Sequence, residues 1–533
     1  MSLPKYKFLK RRAIVPHPTL LAGKPIKKDE DGNDLPNLDN VQGDIYFMFP
    51  KRWECFMFFN IIDGKLSQFR KDLDTYTPNI TSSTQTAKDL DNINTNGGSN
   101  LDIVSSEIAF SKKGLTTMGV TDFLGDPHFD QGSLYNEKDK LGDKAQYDDV
   151  FNGNGKSHGV ILITAGAQAT CSTKTSDFQT IFKSSINVIT TYEGRVRSGD
   201  GEHFGWRDGI SQPALKDIGT SKPGQRVVKP GVVIMGYPGD SVYDDADAVA
   251  RPDFTKDGSF MVFRKLEQNV LFLEDYVNKN WRSIPAKPAS DVSLTDQQRK
   301  KLFAARMVGR FKTGVPLALA PYIEDTTLLD PDTINNFDYT EPDGRCPFAA
   351  HVRTTAPRNL LPIVSKEYLD SSVLVRAGIP YGDEISQKER DDWKNLSEDR
   401  KENAICPRGL LFACYQSSID NGFYRQTTGF ANNDFFPITG LVPQKIGQDP
   451  IIGGPKTVSG TTGTTDLSSE GEVTLRLVTS QGDKYEVAGV AKKVVDSATS
   501  YEQKFFVTSR GGEYYFVPSI STVKSWGAAA QPK

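Results

Sequence analysis

The chain has 533 residues, of which 37% are hydrophobic and 25% charged, and its formal net charge is −3. That is the make-up of an ordinary globular chain with room for roughly two to four domains. It lacks the basic excess that nucleic acid would call for, and its longest apolar runs, such as GVILITAGA, fall far short of a bilayer span, so neither nucleic acid nor membrane is expected as a partner.

The first segment, MSLPKYKFLKRRAIVPHPTLLAG, is basic, but Pro16, His17 and Pro18 interrupt what would be the apolar centre of a secretion signal, so no conventional signal is expected there. Segments that are short, aromatic or β-branched and bounded by Gly, Pro, Asp or Ser predict strands at 44–50, 54–62, 107–111, 159–166, 258–266, 409–416 and 514–521. Between them, apolar residues near the helical period predict helices at 65–76, 271–281 and 293–311, the last with Ser293 or Thr295 as its cap. The polar stretch 84–105 reads as a loop, and 382–405 as a charged loop or short helix. The Gly-, Thr- and Ser-rich stretch 452–500, alternating around SQGD, reads as a surface insertion carrying a hairpin.

A faint echo runs through this order. ECFMFFNIIDGKLSQFRKDLD and GSFMVFRKLEQNVLFLEDYVNKNW each read as a strand followed by an amphipathic helix, about 200 residues apart. Two halves, each a split β-α-β unit on an antiparallel sheet, fit that order, as does any α+β chain in which strand and helix recur.

Histidine is scarce: five residues, at 17, 128, 158, 203 and 351. His351 lies in CPFAAHVRTTAPRN, with small and apolar residues before it and Arg353 and Arg358 after it. An apolar approach to a lone imidazole suits a haem axial ligand, and neighbouring guanidiniums suit carboxylates; a core histidine bonded to backbone fits the same residues. In GEHFGWRDGISQPAL (201–215), Asp208 is either a solvated turn residue or a carboxyl set among Phe204, Trp206 and Ile210, where the charged form is disfavoured and acid–base work becomes accessible. Arg376, closing the apolar run of SSVLVRAGIPYGDE, is either a structural pair or faces a cavity. Leu410 and Phe412, two apart in GLLFACYQ, share one strand face. The five cysteines, at 55, 171, 346, 406 and 414, show no CxxC and no regular spacing, so they are read as structural, with at most one bridge.

Together these segments resemble one family, the haem-dependent dye-decolourising peroxidases, in their fungal branch. The resemblance opens at LDNVQGDIYFMFPK and passes through GWRDG, the family's Gly-x-x-Asp-Gly signature at 205–209. It continues through DGSFMVFRKLEQNV, ARMVGRFKTG, CPFAAHVRTTAPRN, VRAGIPYG, LLFACYQSSIDNGF, FANNDFFP and RGGEYYFVPSIS. It implies an α+β fold of two ferredoxin-like domains of the dimeric α+β barrel type, with antiparallel sheets and peripheral helices. The expected division is an N-terminal unit at 1–240 carrying the signature and a haem-binding unit at 241–533.

The resemblance also implies haem b, one per chain, with His351 as the iron ligand. Asp208 would be the distal acid–base group, Arg376 the distal arginine, and Leu410 and Phe412 the apolar lining. Asp420, in SSIDNGF, would accept the imidazole proton, and Arg353 and Arg310 would meet the propionates. The implied reaction uses hydrogen peroxide to oxidise dyes, phenolics and other one-electron donors through a ferryl–porphyrin radical, with an acidic optimum because a carboxyl replaces the more usual histidine. Tyr381 matches a surface tyrosine that passes electrons outward in relatives. Phe430 departs from the pattern, standing where several relatives have a far more oxidisable Trp. The alternative on the same fold is a haem-binding or porphyrin-handling protein that is not a peroxidase. A monomer or homodimer and an extracellular setting complete the family expectation, with a cytoplasmic setting as the alternative.

Overall fold

A computed structural model of the chain describes residues 27–96, 102–143, 145–153, 156–198, 201–339, 346–361, 363–397, 400–401, 406–433, 436, 448–453, 473–478, 484–491 and 506–529. Its strands, in chain order, are β1 (Trp53–Ile61), β2 (Ser105–Phe110), β3 (Gly159–Ala165), β4 (Ile186–Arg195), β5 (Ala214–Leu215), β6 (Val227–Val228), β7 (Ser259–Gln268), β8 (Val375–Arg376), β9 (Ile379–Tyr381), β10 (Gly409–Gln416), β11 (Val473–Val478), β12 (Lys484–Ala491) and β13 (Val507–Val517). Nine of them form one sheet in the order β4-β1-β3-β2-β13-β7-β10-β8, with β9 also on β10, and every ladder in it is antiparallel. The fold is therefore α+β, with antiparallel strands and helices around them.

β1 to β4 gather at one end of this sheet and β7 to β10 with β13 at the other, meeting where Phe516 of β13 pairs with Phe110 of β2, while β5 and β6 pair with each other apart from it. The sheet curls until its ends touch. Gly194 of β4 sits so close to β9 that a β-carbon there would fall 2.3 Å from Ile379 Cγ2. Where the two strands end, Arg195 binds Asp383 at 2.8 Å, and Arg197 Nε donates to Glu384 at 2.7 Å. The barrel interior is aromatic: Phe56, Phe58, Phe263 and Tyr515 are fully buried, and Phe58 meets Phe263 edge-on at 5.0 Å. A second apolar cluster, including Trp206, Leu302, Phe303, Ala349 and Ala350, lies around the helix Asp296–Val308. That helix begins at a capping box in which Thr295 and Gln298 satisfy each other's backbone N–H groups.

Most of the expected strands and all three expected helices form. The segment 44–50 does not become a strand. Its Asp44 carboxylate is buried, accepts the Phe49 N–H at 2.7 Å and the Tyr415 hydroxyl at 2.8 Å, and so folds the backbone back on itself; Met48 adopts a φ of 58°. The polar stretch 84–105 is not all loop: Ser83–Thr95 is a helix capped by Ser82. It buries Ser83, Thr86, Ala87 and Leu90, of which only Leu90 is a large apolar side chain, too little to show a helical period. β4 went unanticipated because its burial is mixed, as expected of a sheet edge. The run 514–521 splits into the end of β13 and the start of a helix, Ile520–Ala528. Within 382–405 a short helix forms at Gln387–Lys394. The late insertion carries the antiparallel hairpin β11–β12 as a separate two-stranded sheet. Its SQGD turn lies outside the described residues.

Candidate active site

A cavity of about 890 Å³ opens where the two apolar clusters meet, and it is lined mainly by apolar atoms. Asp208, Arg376, His351, Arg310, Leu410 and Phe412 all line it. β10 explains the last two: Leu410 and Phe412 are partly exposed to the cavity while Leu411 and Ala413, pointing the other way, are fully buried.

Asp208 is held by a tied loop. Gly205 (φ 92°) and Gly209 (φ 74°) bracket it in left-handed backbone, which accounts for both glycines of the signature. Upstream, the Glu202 carboxylate accepts the N–H groups of Phe204 and Trp206, each at 2.8 Å. The Trp206 indole donates to the Arg310 carbonyl at 2.9 Å. Arg376 closes the short strand β8, and its guanidinium donates from Nη1 to Asp208 Oδ1 at 2.8 Å. Gly209 N–H donates to the same oxygen at 2.6 Å. The backbone of Arg376 is gripped from both sides by one amide: Arg376 N–H donates to Gln212 Oε1 (3.1 Å), and Gln212 Nε2 donates to the Arg376 carbonyl (2.7 Å).

The side chain of Asp208 is 43% exposed, and that area faces the cavity from a position deep in the molecule. Burial pushes its carboxyl up, yet Arg376, the Gly209 N–H and the positive side of His351 outweigh burial and hold it below the ordinary value. An apolar setting alone suggested a raised carboxyl; the guanidinium reverses the sign.

His351 begins a short helix, His351–Thr355, behind the buried Ala349 and Ala350. Its Nδ1 lies 2.7 Å from Asp449 Oδ2. Asp449 replaces Asp420 as the partner of this imidazole. Asp420 instead lies 3.1 Å from Nε2 of His128, whose Nδ1 is 2.7 Å from Glu137. Asp420 starts a wide helix, Asp420–Ala431, with i→i+5 bonds such as Asn432 N–H to Thr427 O. The end of that helix positions Asp449, whose N–H donates to the Ala431 carbonyl at 3.0 Å. Phe423, Gln426, Thr427 and Phe430 of the same helix line the cavity, and Phe430 stacks on Phe436 at 3.8 Å.

The arginines divide. Arg353 does not line the cavity: it donates to the Cys346 carbonyl and lies over Phe348 and Tyr339, at 4.1 and 4.7 Å. Arg310 does line it, bonded to the Gly314 and Ile334 carbonyls and to Asn335. Arg358, one of the two guanidiniums that follow His351 in the sequence, and Arg226, which no sequence signal singles out, join it on the wall and also bond mainly to carbonyls. Burial, with repulsion from Arg358 and Arg376, pushes Arg310 down to about 10.

Tyr381 does not line the cavity. It is half-buried at the β9 edge with Lys265 Nζ 5.5 Å from its ring centre, whereas Tyr368 is 42% exposed and 6.4 Å from Phe430.

This donor set fits a haem. One imidazole on the wall is anchored through Nδ1, which leaves Nε2 for a metal; the remaining lining is largely apolar; and a group of cations bonded mainly to neutral oxygens calls for an anionic ligand. Among the described residues no group of three or more His, Cys, Asp or Glu could hold a metal ion by itself. No helix among them is long and apolar enough to cross a membrane.

Residues 40–198 match a family model described as the DyP dimeric alpha+beta barrel domain. The chain is 33% identical to the dye-decolorizing peroxidase msp1 of Mycetinis scorodonius, over 92% of this chain and 87% of that protein. It is similar in structure to an ancestral D-type dye decolorizing peroxidase, with a TM-score of 0.76 and 35% identity, covering 92% of this chain and 99% of the other. A dye-decolorizing peroxidase in complex with 2,6-dimethoxyphenol gives a TM-score of 0.74 and 34% identity, covering 93% and 100%.

Proposed function

The chain belongs to the dye-decolourising peroxidase family, and from that premise we propose that it binds one haem b through His351 and uses Asp208 and Arg376 to cleave hydrogen peroxide. It is a peroxidase, an oxidoreductase of a haem-dependent family. The observation that carries the mechanistic reading is the Asp208–Arg376 pair, 2.8 Å apart, on the wall of the same cavity as His351.

Bound haem supplies the iron-centred redox chemistry. His351 would ligate it through Nε2 while Asp449 fixes the tautomer from the other nitrogen. Arg310, Arg226 and Arg358 would meet its carboxylates. Two donors occupy Oδ1 of Asp208, so Oδ2 is the oxygen that takes a proton from one peroxide oxygen and returns it to the other. Arg376 offsets the negative charge that develops on the departing oxygen. Leu410, Phe412 and Phe430 keep the cavity dry and make those charges count.

Donors would be phenols and aromatic dyes, the smaller of which enter and the larger of which give up electrons at the surface through an exposed or half-buried tyrosine, Tyr368 or Tyr381. Kinship with fungal members supports an extracellular setting. The division into units at 1–240 and 241–533 fits the two groups of strands in the sheet. The test is peroxide-dependent oxidation of 2,6-dimethoxyphenol by purified protein. Asp208→Asn should keep the Soret band and lose most turnover, and His351→Ala should lose the band; wild-type turnover in Asp208→Asn overturns the assignment.

A further inference from the structure

Away from the cavity, the side chains of Cys55 and Cys171 meet. Cys55 lies on β1, paired with Ile163 of β3 on one side and Glu193 of β4 on the other. Cys171 is the fourth residue of the helix Gln168–Ile181. The two sulfurs are 3.3 Å apart with Cys171 donating to Cys55, and both residues are buried, at 3% and 0% exposure. The helix is weakly anchored. It buries Cys171, Thr175 and Phe178, a narrow stripe at the helical period, and its Ala167 cap offers no side-chain hydrogen bond. Its start is held instead by Asp102, which accepts the Ala167 N–H at 3.0 Å and the Thr170 hydroxyl.

We propose that Cys55 and Cys171 form a peroxide-sensitive dithiol, oxidised to a disulfide that staples this helix to β1. The oxidant is hydrogen peroxide, which a peroxidase meets as its own substrate. The thiolate of Cys55 attacks one peroxide oxygen, the O–O bond breaks, and Cys55 becomes a sulfenic acid as hydroxide leaves. The Cys171 sulfur then attacks the sulfenic sulfur, the new S–S bond forms, and water departs with the Cys171 proton. Two thiols lose two electrons and two protons, and one peroxide becomes two waters.

Geometry selects the pair. A disulfide needs a separation of about 2.05 Å, so the sulfurs must close by roughly 1.3 Å, which side-chain rotation and a small slide of a weakly anchored helix supply. It also selects the order of attack. The hydrogen bond from Cys171 favours the thiolate of Cys55 over the opposing effect of burial, while the bond to Cys55 and burial push Cys171 up. The staple would close a loop across 116 residues of sequence, which is the setting in which a cross-link constrains the unfolded chain most. Cys346 and Cys414 are also buried, but their thiols turn to oxygen, the Pro347 carbonyl and Gln416 Oε1.

The test uses full-length, haem-loaded protein treated with a few equivalents of hydrogen peroxide, quenched with catalase, denatured, alkylated and mapped by mass spectrometry. The expected result is a cross-linked pair of peptides containing Cys55 and Cys171, lighter by two hydrogens and restored by dithiothreitol, with a melting temperature several degrees above that of the reduced protein. In Cys171→Ser the intermediate should persist and be trapped by dimedone on Cys55. Neither residue lines the cavity, so Cys171→Ser should turn over 2,6-dimethoxyphenol as the wild type does. Full alkylation of both cysteines after peroxide, or oxidation that appears at the other three cysteines instead, overturns the proposal.

Discussion

Asp449 divides its carboxylate between two tasks: Oδ2 lies 2.7 Å from Nδ1 of His351, and Oδ1 accepts the N–H groups of Ile451 (2.8 Å) and Ile452 (3.1 Å). The side chain is fully buried. Removing it by Asp449→Ala strands an imidazole nitrogen and two backbone donors, each worth about 1–3 kcal/mol when left unsatisfied. We expect Asp449→Ala to lower both thermal stability and haem retention, read by the melting temperature and by the ratio of Soret to protein absorbance on titration with hemin. Asp420→Ala, which disturbs only the His128 contact, should bind hemin as the wild type does. The reverse pattern would return the supporting role to Asp420.

The Asp208–Arg376 pair carries a pH prediction with a definite sign. The carboxylate must be ionised to accept a proton, and it is ionised above its own pKa. That pKa is depressed, because Arg376 and the Gly209 N–H hold the carboxylate down against burial. In the wild type the acid limb of kcat/KM for peroxide should therefore lie below the ordinary carboxyl value, near 4. Arg376→Ala removes the strongest of the lowering influences and leaves burial to dominate. The acid limb should then move to higher pH by on the order of one unit or more, in addition to the loss of rate. Stopped-flow rates from pH 3 to 7 measure this, and an unmoved limb in the variant counts against the coupling.

Much of this site was legible in the sequence because the signals were local. Asp208 sits between two glycines whose positive φ its turn requires, and Leu410 and Phe412 follow strand alternation. His351 stood out for its scarcity and its apolar approach. What sequence could not supply was pairing across the chain. Asp449 lies 98 residues from His351, in a segment whose only local mark is a carboxylate followed by two backbone donors, and Asp420 offered an equally plausible carboxylate nearer a strand. Arg353 and Arg358 look alike in CPFAAHVRTTAPRN, yet one turns onto Phe348 and Tyr339 while the other lines the cavity, a choice made by the path of the chain after the helix. The helix at 83–95 shows no helical period in the sequence because it packs through Ser83, Thr86 and Ala87, with Leu90 as its one large apolar side chain.

Gln212 should act as a positioning residue. Its amide holds the Arg376 peptide at both the N–H (3.1 Å) and the carbonyl (2.7 Å). Gln212→Glu keeps the acceptor and loses the donor, setting a carboxylate oxygen against a carbonyl. Loss of this grip, at about 1–3 kcal/mol, corresponds to a fall of roughly 5- to 150-fold in kcat/KM for peroxide. The Soret spectrum and the KM for the reducing substrate should not change. If kcat/KM for peroxide is unaltered, the clamp does not set the guanidinium.

Two tyrosines compete as the route by which bulky dyes deliver electrons. Tyr368 is 42% exposed and 6.4 Å from Phe430, which lines the cavity; Tyr381 is half-buried beside Lys265. An exposed ring offers a large donor direct contact, so Tyr368→Phe should reduce turnover of a bulky anthraquinone dye several-fold and leave 2,6-dimethoxyphenol turnover unchanged. Tyr381→Phe should have the smaller effect on the dye. Installing Phe430→Trp, a more oxidisable ring stacked on Phe436, should raise dye turnover. Equal losses on both substrates in Tyr368→Phe would mark it as structural.

His128 carries a stability prediction. It lies between Glu137 (2.7 Å) and Asp420 (3.1 Å), stacks on Tyr424 at 4.0 Å, and has Asp126 nearby, while Tyr514 donates to the second oxygen of Glu137. Burial opposes its charge, but the two carboxylates prevail and raise its pKa to about 9. A group whose pKa is raised on folding contributes stability fully below its unfolded value, near 6.5, and loses it as pH rises through the folded value. The pair of Glu137 and Asp420, both held below ordinary carboxylate values, act in the opposite sense and lose their contribution only as pH falls below about 4. The stabilisation should thus stand near pH 6 and decline between about pH 6.5 and 9. Its ceiling is about 3 kcal/mol, and solvent around the half-exposed Asp420 brings the expected value nearer 1–2 kcal/mol. His128→Gln should unfold more easily than the wild type at pH 6.5 and approach it by pH 9.5, as measured by denaturant midpoints at fixed salt. A constant gap between the two proteins across that range would show that His128 acts through packing on Tyr424 and not through its charge.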